Sequence, residues 1–508
     1  MSTLARCHSA CAVGIDGIPT EVEVQLRSGP GRFDVVGLPD TVGREARERV
    51  RSAIVSSGYP FPDGNILVNL APAGVRKVGA GHDLPVALAI LAANGVLPRS
   101  ALERALVFGE LALDGRVRAV RAAFLLAATA VKRRREEVMV ALGNAREAAL
   151  ATDVRVLAVE SLRDAVAHLN GLCLLQPVVP DPTPPATERR LDFADVRGQS
   201  QVKRALIVAA AGNHNVLLVG PPGCGKTLSA ARFPDLLPPL SRTEALEVAR
   251  LRSAAGLAVD GLPTRRPFRS PSCGASAPGV LGGGNPARPG EVSLAHRGVL
   301  FLDEAPHFRS EVLEGLRAPL EDGSVSISRV GSHVTLPARF QVLLAMNPCP
   351  CGFGSGPRCA CTPRARDHYL RRISGPVLDR IDLRVIVPAV RFDELQKRTN
   401  GEGTDVMQAA VARVRQIQAA RLGAGRMNAS MSQAELEEWC RPLPDARSEL
   451  RTACDSGALS ARGVTRVLRV ARTVADIAGK TGPEVDRGAV LLALGWRVAR
   501  DPDEVTTS

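Results

Sequence analysis

The spacing of apolar positions divides this chain into three stretches with different rhythms. Val22-Glu-Val-Gln-Leu26 and Arg32-Phe-Asp-Val-Val36 alternate with period two and predict half-buried strands. Residues 41–56 carry apolar positions at helical spacing, and Asn65-Ile-Leu-Val-Asn-Leu70 returns to a strand pattern. A Gly-rich turn follows, then predicted helices at 84–93, 121–131 and 144–151 and a strand at 137–141. Residues 11–170 therefore predict an α/β unit, contained in a domain drawn at 1–175. Five prolines, Pro177, Pro180, Pro182, Pro184 and Pro185, make residues 176–190 an expected semi-rigid linker. From 191 to 390 the pattern changes to short, continuously apolar runs such as Asn215-Val-Leu-Leu-Val219 and Gln341-Val-Leu-Leu-Ala-Met346. Such runs suit a parallel sheet buried on both faces. Beyond 391, helical spacing dominates at 406–422, 433–440, 446–456, 464–479 and 484–497, which predicts a helical unit over 391–508.

Composition adds a compartment and a class of partner. At 508 residues the chain has room for about three domains. It contains no stretch of about twenty uncharged apolar residues and no signal-peptide pattern, so a cytoplasmic protein without a membrane span is expected. Its formal charge of +13 favours a polyanionic partner such as nucleic acid. Lysine occurs only at 77, 132, 203, 226, 397 and 480, so the charge is carried by arginine, which grips phosphate bidentately. Aromatic residues make up 3 %, too few for an obvious base-stacking platform; backbone contacts would dominate. The basic run Lys132-Arg-Arg-Arg135 reads as a solvated helix end in preference to a nucleic-acid contact.

Candidate chemistry starts at Gly220-Pro221-Pro222-Gly223-Cys224-Gly225-Lys226-Thr227, a complete phosphate-binding loop between a predicted strand and a predicted helix. Its glycines let backbone N–H groups face an anion. Lys226 would reach the β- and γ-phosphates of ATP, and Thr227 would ligate Mg²⁺. Asp303 and Glu304 end the apolar run Val299-Leu-Phe-Leu302, where Asp303 would help hold Mg²⁺ and Glu304 would act as general base. Asn347 ends a third such run and would orient the attacking water, although a residue before proline also suits a plain turn. Arg380, in Leu378-Asp-Arg-Ile-Asp382, has two readings of its own: an intrachain ion pair, or a finger that reaches a neighbouring subunit's nucleotide.

Directly after Asn347, Cys349, Cys351, Cys359 and Cys361 form C-x-C-x₇-C-x-C, a candidate structural Zn²⁺ loop. Reduced, unliganded or redox-sensing cysteines are the other reading. Residues 324–335 alternate around Gly331 as a hairpin should, with Arg329 and His333 near its tip as candidate DNA contacts; packing between subunits is the alternative use.

The ordered set of long motifs resembles a known family. It comprises the phosphate loop, Gly283-Gly-Asn-Pro-Ala-Arg-Pro-Gly290, LFLDEAP, LRAPLEDG, AMNPCPCG, RISGPVLDRIDL and SARGVTRVLRVARTVADIAG. Together with Val36-Gly-Leu-Pro39 and His82-Asp-Leu-Pro-Val-Ala-Leu88, these are similar to the magnesium-chelatase-like AAA+ proteins of the YifB/ComM type over nearly the whole chain. The resemblance implies an N-terminal domain with a Lon-protease-like fold, an AAA+ module and a helical lid. It also implies a helix-2 insert near 264–289 and a presensor-1 hairpin near 324–337. By motif position it makes Lys226 and Thr227 the Walker A pair and Asp303 and Glu304 the Walker B pair. In the same way Asn347 becomes sensor 1, Arg380 the finger and Arg462 sensor 2, with Arg466 or Arg469 as weaker choices for the last role. ComM members of the family act as hexameric, ATP-driven DNA motors in branch migration, so a homo-oligomer acting on branched or single-stranded DNA is implied. A chelatase-type remodeller of a protein partner in metal insertion is the alternative. One departure stands out: the loop Arg76-Lys-Val-Gly-Ala-Gly-His-Asp83 has no serine and Gly109–Arg116 no lysine, so the Lon-type nucleophile and its activator are missing.

Overall fold

The computed structural model describes residues 3–498 except 76, 78, 152–153, 180–190, 285–286, 330–331, 355–357, 391 and 393–402. At Asp40, Arg329, Ser332 and Val498 it describes the backbone alone. The architecture is α/β, as expected. A seven-stranded mixed sheet organises the N-terminal part: β1 (Thr3–Val13), β2 (Asp16–Arg27), β3 (Phe33–Val36), β4 (Asn65–Ala71), β5 (Ala105–Phe108), β6 (Glu137–Ala141) and β7 (Arg155–Val159). Their order is β3-β4-β2-β1-β5-β6-β7. The hairpin β1–β2 is antiparallel, and β1 pairs in parallel with β5 on its other side.

Helix α1 (Asp40–Ser56) has a charged outer face, whereas every residue of α2 (Asp83–Ala93) is buried. A helix that is apolar all round belongs in a core, and α2 packs with Ala5, Cys7, Val22 and Val24 of the hairpin. The sequence pattern does not reveal β1. Its inward positions Ala5, Cys7 and Ser9 are small, lacking the β-branched residues that mark a strand, and they are small beneath a closely packed helix. The Gly-rich turn before α2 buries Lys77, whose Nζ donates to the carbonyls of Pro72 (2.7 Å) and Val75 (3.3 Å). Beyond α3 (Ala123–Lys132), Lys132 lies exposed 3.9 Å from Asp16, and Arg135 bonds the Glu103 carbonyl; both belong to a helix end.

The central part is built on a parallel five-stranded sheet. Helix α4 (Ser200–Gly212) leads into β8 (Val216–Val219), which is followed by α5 (Lys226–Arg232), α6 (Arg242–Ala255) and β9 (Phe268–Arg269). Next come β10 (Val299–Leu302), the hairpin β11 (Ser324–Arg329) and β12 (Ser332–Pro337), β13 (Gln341–Met346) and β14 (Leu383–Ile386). The sheet order is β9-β10-β13-β8-β14. All of β10 and β13 is buried, as continuous apolar runs require. Phe124 and Leu125 of α3 pack with Ala249 of α6, and Ser253 Oγ donates to Glu147 Oε1 at 2.6 Å, joining the two sheets' layers.

Helix α7 (Pro363–Leu370) precedes β14. The C-terminal part is helical: α8 (Thr404–Leu422), α9 (Gln433–Trp439), α10 (Pro444–Asp455), α11 (Ala461–Ile477) and α12 (Arg487–Val498). The expected helix from 484 starts at Arg487, because Glu484–Val485 pairs in parallel with Arg441–Pro442. A buried polar chain fastens these helices to the sheet. His214 Nε2 lies 2.8 Å from Thr473 Oγ1, Asn428 Nδ2 donates to Thr473 and to Asp476, and Asp476 pairs with Arg421 at 2.6 Å and Arg472 at 3.1 Å.

Candidate nucleotide site

Adjacent parallel strands end at the same edge of the sheet, and that register gathers the first group of candidate residues. Val219 pairs with Met346, and Leu302 with Leu344, so the residues that follow each strand emerge side by side. Gly220 turns the chain where any larger residue would collide: a Cβ there would sit 2.3 Å from the Val387 carbonyl and 2.8 Å from Cys224 Sγ. Gly223 and Gly225 adopt φ of +75° and +90°, the left-handed region glycine permits. Helix α5 begins at Lys226, its unpaired N–H groups facing the loop. The Lys226 ammonium is buried and donates to the carbonyls of Gly220 (2.7 Å) and Pro221 (2.9 Å) and to Asn347 Oδ1 (3.1 Å). Thr227 Oγ1 donates to Asp303 Oδ2 at 2.6 Å, and Asp303 Oδ1 accepts from the Glu304 N–H at 2.9 Å. Glu304 itself is exposed, with φ of +51° that turns the chain after β10. Lys226, Thr227, Asp303, Glu304 and Asn347 thus share one edge of the sheet.

Sequence reasoning passed over Gln199. It adopts a left-handed φ of +55° before α4, and its Nε2 donates to the Cys224 carbonyl behind the phosphate loop and to the Pro388 carbonyl at 3.5 Å. The signal in the sequence is the Gly198-Gln199 pair directly before a helix.

Arg380, Arg462, Arg466 and Arg469 form a second group, lining an open cavity of about 210 Å³ with Glu321 and Asp379. Arg380 pairs with Glu321 and donates to the Pro376 carbonyl at 2.8 Å. Hydrogen bonding from Arg380 holds the Glu321 carboxyl below the usual range, with Arg462 and Arg466 adding positive charge. Arg466 is tied to Asp382 at 2.5 Å and Arg469 to the Met431 carbonyl, while Arg462 is exposed at the rim. Asn215 Nδ2 donates to the Arg380 carbonyl at 3.0 Å. Asn215 precedes β8 and Gly220 follows it, roughly 16 Å away at strand rise, so the Arg380 backbone lies at the opposite end of the strand from the phosphate loop. Within one chain, the structure does not bring Arg380 or Arg462 to Lys226.

The four cysteines do converge. Their sulfurs all lie within 4.8 Å of one another, with Cys349 3.3 Å from Cys351 and 3.7 Å from Cys359, and Cys351 3.5 Å from Cys359. These separations exceed a disulfide bond and match the roughly 3.8 Å edge of a tetrahedron with sulfurs 2.3 Å from its centre. The donor set therefore fits Zn²⁺. The β11–β12 hairpin pairs Ser324 with Pro337 through to Arg329 with Ser332, and Ser328 Oγ lies 2.9 Å from His333 Nδ1. The Arg329 side chain and Gly331 lie outside the described residues. No helix among the described residues is long and apolar enough to cross a membrane.

Three family models match the chain: subunit ChlI of Mg-chelatase over residues 22–144, magnesium chelatase subunit ChlI over 192–395, and the ChlI C-terminal model over 401–497. An uncharacterized protein of Mycobacterium tuberculosis is 42 % identical over 504 residues, covering 98 % of this chain and 99 % of that one. YifB of Salmonella typhimurium is 41 % identical and the competence protein ComM of Haemophilus influenzae 39 %, each covering 97 % of both chains. Likeness of this extent, over a parallel sheet that gathers a phosphate loop and two strand-end carboxylates, settles the family: the chain belongs to the magnesium-chelatase-like proteins of the YifB and ComM group.

Proposed function

We propose that this protein is an ATP-hydrolysing DNA motor that works as a ring, of six subunits as the family resemblance implies. The observation that carries the reading is the placement of the Arg380 backbone at the opposite end of β8 from the loop that holds Lys226. Neither Arg380 nor Arg462 shares the strand end that holds Lys226, so in this reading a neighbouring subunit's Arg380 supplies the transition-state cation. Arg462 shares the Arg380 cavity, so it acts on the same neighbouring nucleotide.

In this reading the loop Gly220–Thr227 cradles the phosphates, and Lys226 exchanges its present oxygen acceptors for phosphate oxygens. Thr227 and Asp303 would hold Mg²⁺, which would supply positive charge against the phosphates. Glu304 takes the proton of the attacking water, and Asn347 orients that water. Residues 1–175 form the N-terminal domain, 191–390 the ATPase domain and 391–508 the lid, and the four cysteines hold a structural Zn²⁺. The protein is cytoplasmic. The net charge of +13 and a relative named for competence support DNA as partner, with branch migration as the work done. Hydrolysis with and without a labelled three-strand junction tests this: severalfold stimulation and strand displacement are expected. An active ATPase that ignores DNA would contradict it.

The names of the matching models favour a second reading, a remodeller that drives metal insertion through a protein partner. That reading predicts ATPase activity indifferent to DNA.

A further inference from the structure

The cysteine loop touches the nucleotide site at three places. It starts directly from Asn347, whose Oδ1 receives the Lys226 ammonium. In its middle, Gly352 lies in the left-handed region at φ of +88°. A Cβ there would fall 2.6 Å from Pro222 Cδ, 2.7 Å from Pro222 Cγ and 4.0 Å from Asn347 Cγ. The backbone of the loop is thus pressed against the ring of a phosphate-loop proline. At its exit, Thr362 caps α7, and that helix returns Tyr369, 4 % exposed, to the neighbourhood of the Asn347 backbone. Within the loop, Gly352 N donates to the Cys349 carbonyl at 3.0 Å and Gly354 N to Cys349 Sγ at 3.3 Å, while Cys349 is fully buried. The residue that presses on Pro222 is therefore bonded to the first cysteine of the cluster.

From this circuit we infer that the four-thiolate zinc site and the phosphate loop are energetically coupled, each binding its ligand more tightly when the other is filled. The inference rests on the nucleotide and zinc readings above. Four thiolates drawn to one ion fix Cys349 and Cys351 just before the Gly352 contact and Cys359 and Cys361 beyond it, and so fix Pro222 and the carbonyls around Lys226. Among the described residues of 350–361 only Gly352 and Gly354 are buried, so without metal the loop has little apolar packing to hold that contact. Coupling between sites is reciprocal, so the nucleotide must strengthen zinc binding by the factor with which zinc strengthens nucleotide binding.

Zinc affinity is measured by competition with a chromogenic chelator, with and without a saturating non-hydrolysable ATP analogue. The full-length protein and a Gly352→Ala variant are compared, and analogue binding is followed separately by fluorescence. The expected result is one zinc per subunit, held about tenfold more tightly with the analogue, within the range of typical coupling. In Gly352→Ala, which keeps all four thiolates, the zinc remains and the difference falls below about twofold. Protein that binds both ligands with identical zinc affinity in either condition overturns the coupling and leaves both sites standing. Protein purified without chelator that carries well under one zinc overturns the metal site itself. Failure to bind the analogue overturns the nucleotide reading.

Discussion

Lys226 Nζ and Asn347 Oδ1 lie 3.1 Å apart, so a side-chain hydrogen bond joins the phosphate loop that follows β8 to the residue that follows the neighbouring β13. Once a nucleotide draws Lys226 to its phosphates, that amide is released toward the γ-phosphate. Asn347→Ala is expected to lower kcat about 100-fold, in the range for loss of one positioned polar group, and to change nucleotide Kd less than about threefold. Single-turnover hydrolysis beside equilibrium binding measures both. A lost affinity with an unchanged rate would make Asn347 a structural tie only.

Glu304→Gln keeps the shape and removes the base. The exposed carboxylate donates nothing to the Thr227–Asp303 pair, so the variant should bind ATP normally and hydrolyse it at least about 100-fold more slowly. Hydrolysis at the wild-type rate removes the assignment.

For Arg380→Ala the expectation is a kcat lower by about 1,000-fold with nucleotide affinity nearly unchanged, because its backbone lies at the end of β8 away from its own phosphate loop. Arg462→Ala should act in the same direction and more weakly. The rate must fall in assembled rings; sizing the variant by light scattering separates lost chemistry from lost assembly.

The joint between the sheet and the C-terminal helices predicts a pH dependence. Burial pushes His214 down to about 4, countered by Asp382 and reinforced by Arg469 and Arg466. Between about pH 6.5 and 4 the unfolded chain carries a proton on this histidine that the folded one rejects, so stability falls as pH falls through that window. From pH 7 to pH 5 the loss from this site is about 2 kcal/mol. Both tryptophans, Trp439 and Trp496, pack in this same core, so their fluorescence reports its unfolding. Denaturation at the two pH values should show a smaller acid loss in His214→Gln than in wild type; equal losses would remove His214 as the cause.

How much could be read from sequence follows from how local each feature is. The phosphate loop, Asp303, Glu304, Asn347 and the cysteine spacing are contiguous motifs whose chemistry depends on neighbours a few residues away, and they were legible. The apolar runs likewise announced β8, β10 and β13. Strand β1 stayed hidden because Ala5, Cys7 and Ser9 are small for the sake of α2, a partner nearly eighty residues on. The grouping of Arg380 with Arg462, and the pressure of Gly352 on Pro222, depend on sheet order and loop return, which no local pattern encodes.

Whether the neighbouring subunit completes the catalytic site can be read from rings of mixed subunits. Lys226→Ala and Arg380→Ala proteins are each expected to be inactive. In rings assembled from equal amounts, about one interface in four pairs an intact Lys226 with an intact Arg380 from next door, so about a quarter of wild-type activity should return. Rings verified as mixed that hydrolyse no faster than their parents would contradict the shared site.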